Sequence, residues 1–325
     1  MTKDSVTSLP NLMVSVQRTY EASLVLGSTK GVERSHAVRA MADALDEAID
    51  DILEANTLDL EASREMAVPD LILEWLKLTP ERLNNTVETL YRLAEFSDPL
   101  RRVMNASYQL DHSQTYCQLM PLGTIALIYE TLPELAVIAA GLCIKTGNSL
   151  LLKGGTEASN SNQAIAQAIV GALEKVDFPP GSVELIPADS GATIRDLVKQ
   201  DQYINLVIPY GRPSLVQQVV RQSTAPVLRS AMGNCYLYWS PTGSLELARW
   251  MIIDSHQSEP DPVNAIEKVL IHGNQKPSSL TRLWNSLKDN GFKIRVDAEL
   301  REEFPDFKLA KDTDWSEAYL SKTVA

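Results

Sequence analysis

Histidine and cysteine are scarce in this 325-residue chain. The four histidines, His36, His112, His256 and His272, are scattered, and that spacing predicts no metal centre. The three cysteines, Cys117, Cys143 and Cys235, are odd in number and far apart. They form neither a disulfide framework nor a zinc pattern, and they suit a reducing, cytosolic compartment. Positive charge is also short: 30 Lys and Arg stand against 42 Asp and Glu, a net charge of −12. An acidic surface repels phosphate backbones and anionic lipid heads, which disfavours nucleic-acid and membrane-surface roles. No apolar run approaches the length of a membrane span. The opening residues, MTKDSVTSLPNLMVSV, lack a signal-peptide core. Internal repeats, low-complexity linkers, a GxGxxG fingerprint, a Walker loop and a GxSxG elbow are all missing.

What is present suits a soluble globular protein. Hydrophobic residues make up 44% and charged residues 22%, enough apolar material for a real core. The length favours two domains over one large α/β domain. Residues 1–105 read as helical. In SHAVRAMADALDEAIDDILEAN, residues Val38, Met41, Leu45, Ile49 and Ile52 recur three and four apart, which gives one apolar stripe with Ser35 as its cap. LTPERL starts another helix, with Thr79 at N-cap and Pro80 at N1. The alternation in ASYQLDHSQTYCQL (106–119) reads as a hairpin.

Beyond it, short apolar runs alternate with helical patterns. PLGTIALIYE (121–130), SLLLKGG (149–155), VELIPA (183–188), INLVIPYG (204–211), APVLRSA and CYLYWS (235–240) read as strands. The helix between the first two ends at Gly147, a natural C-cap. Such alternation predicts a doubly wound parallel sheet. After LELARWMIIDSHQ, the Pro-rich turn SEPDPVN leads into AIEKVLIHG, and helix and strand patterns continue to Ala325.

Two stretches have the form of sites. LLLKGGTEAS (150–159) is a strand, two glycines and a helix start, with Lys153 at the strand's end. Glycines admit close backbone approach and a helix N-terminus attracts anions. Taken alone, the stretch fits a nucleotide site or an ordinary βα turn. In the turn 258–264, Glu259 and Asp261 have the chemistry of a general base or of a solvated pair.

Several segments together resemble one family. They are LTPERL (78–83), PLGTIALIYE with Pro133, LCIKTGNSLLLKGGTEASNSN (142–162), LVIPYG (206–211), QSTAPV (222–227), and Pro260 followed by Asn264 and Glu267. They are similar to γ-glutamyl phosphate reductase, also called glutamate-5-semialdehyde dehydrogenase, of the aldehyde dehydrogenase superfamily. The resemblance runs from about residue 15 to the end and implies an aldehyde-dehydrogenase-like α/β fold. Helices 1–105 would belong to the cofactor-type domain, 106–120 to a protruding β-hairpin used in oligomerisation, and 121–243 to a Rossmann-like cofactor-type domain. Residues 244–325 would be a shortened catalytic-type α/β domain, since the family's later segments are expected after Ala325. The family implies NADPH as hydride donor, γ-glutamyl phosphate as substrate in proline biosynthesis, and a cysteine that forms a thioester.

Against that pattern the chain departs at the sites of chemistry. The family's RPSTCN turn reads EPDPVN here, so Val263 stands at the nucleophile position. Its YEARPNV reads YETLPEL: Leu132 replaces the substrate arginine, and Glu134 replaces an asparagine that resembles the superfamily's oxyanion donor. An ionised glutamate accepts hydrogen bonds and repels an oxyanion. With Glu259 and Asp261, it makes the implied pocket acidic toward an anionic substrate. Cofactor binding is implied for Lys153, Gly154, Gly155, Glu157 and Gly211. The neighbouring Arg212 takes a glycine position, and the residues leave NADP(H) binding open. Three readings follow. One is a non-catalytic homologue that binds a protein partner or second subunit, through an open edge of hairpin 106–119, or a retained ligand. Another is NADPH-dependent reduction of L-glutamate 5-phosphate by an atypical active member. The third is an NADP(H)-binding sensor without chemistry.

Overall fold

The computed structural model describes residues 4–105, 116–229, 233–257, 264–316 and 318–325. Contacts divide the chain into two compact units, 1–230 and 231–325.

The first unit opens with five helices: α1 (Asp4–Leu26), α2 (Gly31–Glu47), α3 (Ile49–Glu65), α4 (Asp70–Leu76) and α5 (Pro80–Glu95). The apolar stripe of α2 is buried as the spacing predicts, with Val38 and Met41 fully enclosed. Ser35 is not its cap, because the helix begins a turn earlier at Gly31. There the Lys30 N–H donates to Glu33 at 2.9 Å. Thr79 does cap α5, its Oγ1 accepting from Arg82 N at 3.2 Å.

Strands β1 (Val103–Asn105) and β2 (Tyr116–Gln118) pair antiparallel, as a hairpin requires. Residues 106–115 between them lie outside the described residues. Then come β3 (Thr124–Tyr129), α6 (Pro133–Lys145), β4 (Ser149–Lys153), α7 (Ser159–Lys175), β5 (Val183–Leu185), α8 (Ile194–Val198), β6 (Leu206–Tyr210) and α9 (Pro213–Gln222). The four strands form a parallel sheet in the order β5-β4-β3-β6. Alternate residues of β3 feed two cores, as a doubly wound sheet demands. Ile125, Leu127 and Tyr129 join the core that holds α2, α5, α6 and α7. Ala126 and Ile128 join the core that holds α1, α8 and α9. APVLRSA is not a full strand: among the described residues it makes one parallel bridge, Val227 to Val207.

The second unit holds β7 (Cys235–Trp239), α10 (Leu245–Asp254), β8 (Ile266–Ile271), α11 (Pro277–Asp289), β9 (Lys293–Val296), α12 (Ala298–Glu303), β10 (Lys308–Leu309), α13 (Asp312–Ser316) and β11 (Thr323–Val324). The domain reading counted 235–240 with the cofactor-type domain. The strand pairs instead with β8, so the units part near 230 rather than 243. Trp239, Ile252, Leu283 and Trp284 centre this unit's core.

Candidate functional site

The β5-β4-β3-β6 order places a topological switch point between β3 and β6. Open α/β sheets bind ligands in the crevice beyond the strands' carboxyl ends at such a point. Around that edge lie the turns after β3 (Glu130–Leu132), β4 (Gly154–Gly155) and β6 (Gly211–Arg212).

Glu130 ties these turns together. Its N–H donates to Tyr210 O at 3.3 Å and its carbonyl accepts from Gly155 N at 3.2 Å. Its carboxylate accepts from Arg212 N at 2.7 Å and from Arg212 Nε at 3.0 Å. The Arg212 guanidinium, which stands at a glycine position of the family pattern, is therefore engaged by an internal acid. Gly211 has φ +156, and a Cβ there would lie 2.7 Å from Glu130 Oε2. This glycine serves close packing against the chain's own carboxylate.

Helix α7 follows the same scheme. Its N2 and N3 amides, Asn160 and Ser161, donate to the Asp59 carboxylate of α3 at 3.1 and 2.8 Å. Asn160 Nδ2 and Ser161 Oγ add bonds of 2.8 and 2.7 Å to that carboxylate, which is buried. The helix start proposed as an anion site is thus occupied by Asp59. Gly154 is required by packing, since a Cβ would meet Asn162 Nδ2 at 2.2 Å. Asn162 is itself fixed by the Tyr129 hydroxyl at 2.9 Å. Beside Gly154 and Gly155 lies a cleft of about 280 Å³, which runs between the start of α7 and the turn after β5 and is rimmed by Asp189. Lys153 Nζ donates to Pro187 O at 3.1 Å. Burial lowers its pKa, with Asp189 acting in the opposite sense. Glu157 folds back onto Thr156 Oγ1, which donates to it at 3.2 Å.

At α6, Leu132 is the N-cap residue and contributes no side-chain bond. Glu134 is paired with Arg82, whose guanidinium also donates to the carbonyls of Glu74, Trp75 and Lys77 near the end of α4. Both side chains are largely buried. The acid expected to repel an oxyanion therefore has its charge compensated by Arg82. Burial, and secondarily Glu134, raises the Tyr210 pKa. Thr131 Oγ1 and Glu134 Oε2 are buried without a hydrogen-bond partner among the described residues.

Val263, with Glu259, Pro260, Asp261 and Pro262, lies outside the described residues. Of that turn's frame, Asn264 is exposed and Glu267 is buried. Glu267 accepts from Tyr319 N and Leu320 N, both at 2.6 Å, so it clasps the chain before β11. The three cysteines are free thiols. Burial pushes the Cys143 thiol up to about 12, which removes the thiolate that a nucleophile needs. Among the described residues no cluster of His, Cys, Asp or Glu could hold a metal, and no helix is long and apolar enough to cross a membrane.

Sequence reading missed Asp59, Arg82 and Glu130. Asp59 looks like one more acid on a solvated face. Arg82 carried a signal, because a cation in the first turn of α5 opposes the helix dipole and calls for another partner.

The segments behind the resemblance resolve largely into structural devices. Lys145 is buried and donates to Ser35 Oγ at 2.7 Å, Ala94 O at 2.9 Å and Phe96 O at 2.6 Å. Gly147 has φ +71, and Asn148 N reaches back to Cys143 O at 2.8 Å, completing a Schellman turn. Asn148 Oδ1 then accepts from Leu122 N and Gly123 N at 2.7 and 2.9 Å.

The aldehyde dehydrogenase family model matches residues 13–233. Gamma-glutamyl phosphate reductase 2 of Synechocystis is 57% identical over 305 residues, 94% of this chain and 73% of that protein. Gamma-glutamyl phosphate reductase of Gloeobacter violaceus is 36% identical, over 97% of this chain and 75% of that protein. The crystal structure of gamma-glutamyl phosphate reductase from Thermotoga maritima superposes with a TM-score of 0.83 at 31% identity, covering 97% of this chain and 76% of that one. The chain therefore belongs to the γ-glutamyl phosphate reductase family of aldehyde dehydrogenases.

Proposed function

We propose that this chain is a non-catalytic member of its family and works by binding. The observation that carries the reading is Val263, a side chain with no lone pair at the position where the family pattern has its cysteine. Leu132 and Glu134 support it, because the substrate arginine and the oxyanion donor are replaced together. The enclosed Cys143 offers no substitute thiolate. For a protein partner, the β1–β2 ribbon supports docking: Val103, Tyr116, Leu119 and Met120 are exposed on it or beside it. Free cysteines suit a cytoplasmic setting.

A second reading, retention of a nicotinamide dinucleotide without chemistry, is favoured by the cleft over Gly154–Gly155. Its lining suits an adenosine half, with Ser159, Asn160, Asn162 and Gln163 as polar groups over Gly154 and Gly155; Lys153, Glu157 and Gly211, which the family pattern adds, lie outside that lining. When bound in an active relative, such a cofactor supplies a hydride. Here these residues would bind and orient it.

A coupled spectrophotometric assay tests the first reading. Purified protein given γ-glutamyl phosphate with NADPH, or the semialdehyde with NADP⁺, should show no turnover above the protein-free rate. NADPH-dependent reduction of L-glutamate 5-phosphate above that rate would establish an atypical active enzyme. Loss of that activity in Cys143→Ser or Cys235→Ser would then name the nucleophile.

A further inference from the structure

We propose that the outer edge of β7 is an interface between two copies of this chain, where a second copy adds its own β7 antiparallel about a two-fold axis at Leu237. The inference concerns the second unit alone. It uses neither the β1–β2 ribbon nor a cofactor, and it holds whether or not the chain does chemistry.

Four observations carry it. First, the edge is open. β7 pairs in parallel with β8, and no other strand among the described residues pairs with its far side. Second, the edge is unguarded. Exposed strand edges are ordinarily blunted by shortness, charge, proline or a bulge. β5 has three residues and carries Glu184. β6 carries Pro209 and is bridged at Val207 by Val227. β10 has two residues, one of them Lys308. β7 has five residues, CYLYW, with no charge, proline or glycine. The irregularity of its ladder lies on β8: Cys235 faces Ile266 and Tyr236 faces Lys268, so Glu267 is the extra residue.

Third, the backbone is set for this pairing. Trp239 O accepts from His272 N at 3.1 Å, so Leu237 and Trp239 turn their peptide groups toward β8. Tyr236 and Tyr238, alternating with them, turn theirs outward. With Leu237 facing its symmetry mate, Tyr236 lies opposite the partner's Tyr238, and Tyr238 lies opposite the partner's Tyr236. Both are then hydrogen-bonded pairs of an antiparallel ladder. Fourth, the side chains match. Tyr236 and Tyr238 share one face and are 44% and 58% exposed, and Leu270, which faces Tyr238 across the ladder, is 47% exposed. Tyr-Leu-Tyr reads the same from either end, so the two-fold sets tyrosine against tyrosine twice, and directly opposed aromatic pairs stabilise antiparallel strands. The Tyr236 ring is already held, its hydroxyl donating to Trp315 O. A chain of net charge −12 resists self-association over most of its surface, whereas this strand brings no like charges together.

Sedimentation velocity of the purified chain between about 1 and about 100 µM tests the proposal. Photo-oxidation that joins touching tyrosines as dityrosine adds the register, read by mass spectrometry on a mixture of unlabelled and heavy-nitrogen chains. Wild type should form a reversible dimer and yield a hybrid peptide joined from Tyr236 to Tyr238. Tyr238→Lys, which charges the edge, should weaken dimerisation at least about tenfold. Tyr238→Phe should keep the dimer and lose the crosslink. Tyr238 is exposed, so both variants should keep the melting temperature of the monomer. The crosslink is read on wild type, so the test survives a variant that fails to fold. A wild-type chain still monomeric at about 100 µM would overturn the assignment. So would a dimer without the hybrid peptide, or one lost in Met120→Asp beside the ribbon but kept in Tyr238→Lys.

Discussion

The two edges of the four-stranded sheet are built from different polar residues, basic and amide side chains at the amino edge and carboxylates at the carboxyl edge. At the amino edge, Lys145, Asn148 and Asn205 each satisfy backbone groups of neighbouring segments, and Arg34 pairs with Asp98 at 2.7 Å while donating to Lys145 O at 3.2 Å. At the carboxyl edge, Asp59, Glu130 and Glu134 lie at the starts of α7, α9 and α6, where helix N-termini favour negative charge. There Thr131 Oγ1 and Glu134 Oε2 are buried without partners among the described residues. Buried polar atoms are normally satisfied, so the amino edge follows the rule and the carboxyl edge departs from it. Residues that match the family pattern concentrate where they hold the fold.

The largest expected effect lies at the amino edge. Lys145→Met should cost about 3 kcal/mol in urea unfolding, because the Ala94 and Phe96 carbonyls lose a charged donor inside the protein. The pH dependence has a definite sign. Burial lowers the folded Lys145 pKa below its unfolded value, so the unfolded state holds more protons between the two. Wild-type stability should gain on Lys145→Met as pH rises toward the ordinary lysine range near ~10.4. An equal pH profile for both proteins would remove Lys145 from its buried position.

Next is Asp59→Ala, which uncaps α7 and should cost about 2 kcal/mol. A loss as large as that of Lys145→Met would erase the distinction drawn between the edges. Glu130→Gln should cost less than about 1 kcal/mol, since Arg212 is half exposed. Its informative readout is ligand response. With Arg212 released, added phosphate should raise the melting temperature of the variant more than that of wild type. An identical response would mean that Glu130 does not guard an anion position. Smallest is thiol labelling: Cys117 is exposed and should react in the native protein, while Cys143 should stay silent until unfolding.

Much of this was legible in the sequence for local reasons. The stripe through Val38, Met41 and Leu45 fixed α2, Thr79–Pro80 fixed the start of α5, and Gly147 fixed the end of α6. Short apolar runs between helical patterns gave the parallel sheet. What stayed hidden depends on partners far apart in the chain. Asp59 meets Ser161 across 102 residues and Glu130 meets Arg212 across 82, and neither residue type nor spacing announces such pairs. The misplaced cap at Ser35 has a related cause: its hydroxyl is engaged by Lys145 from another helix, 110 residues away. The strand reading of APVLRSA followed its apolar residues, whereas among the described residues pairing there amounts to one bridge.

The central claim is that the chain has no nucleophile for acyl transfer. Intact-mass spectrometry after incubation with γ-glutamyl phosphate, quenched in acid without cofactor, tests it most directly. The account predicts an unchanged mass for wild type, as for a Cys143→Ser, Cys235→Ser double variant. A stoichiometric γ-glutamyl adduct on wild type that the double variant lacks would contradict it.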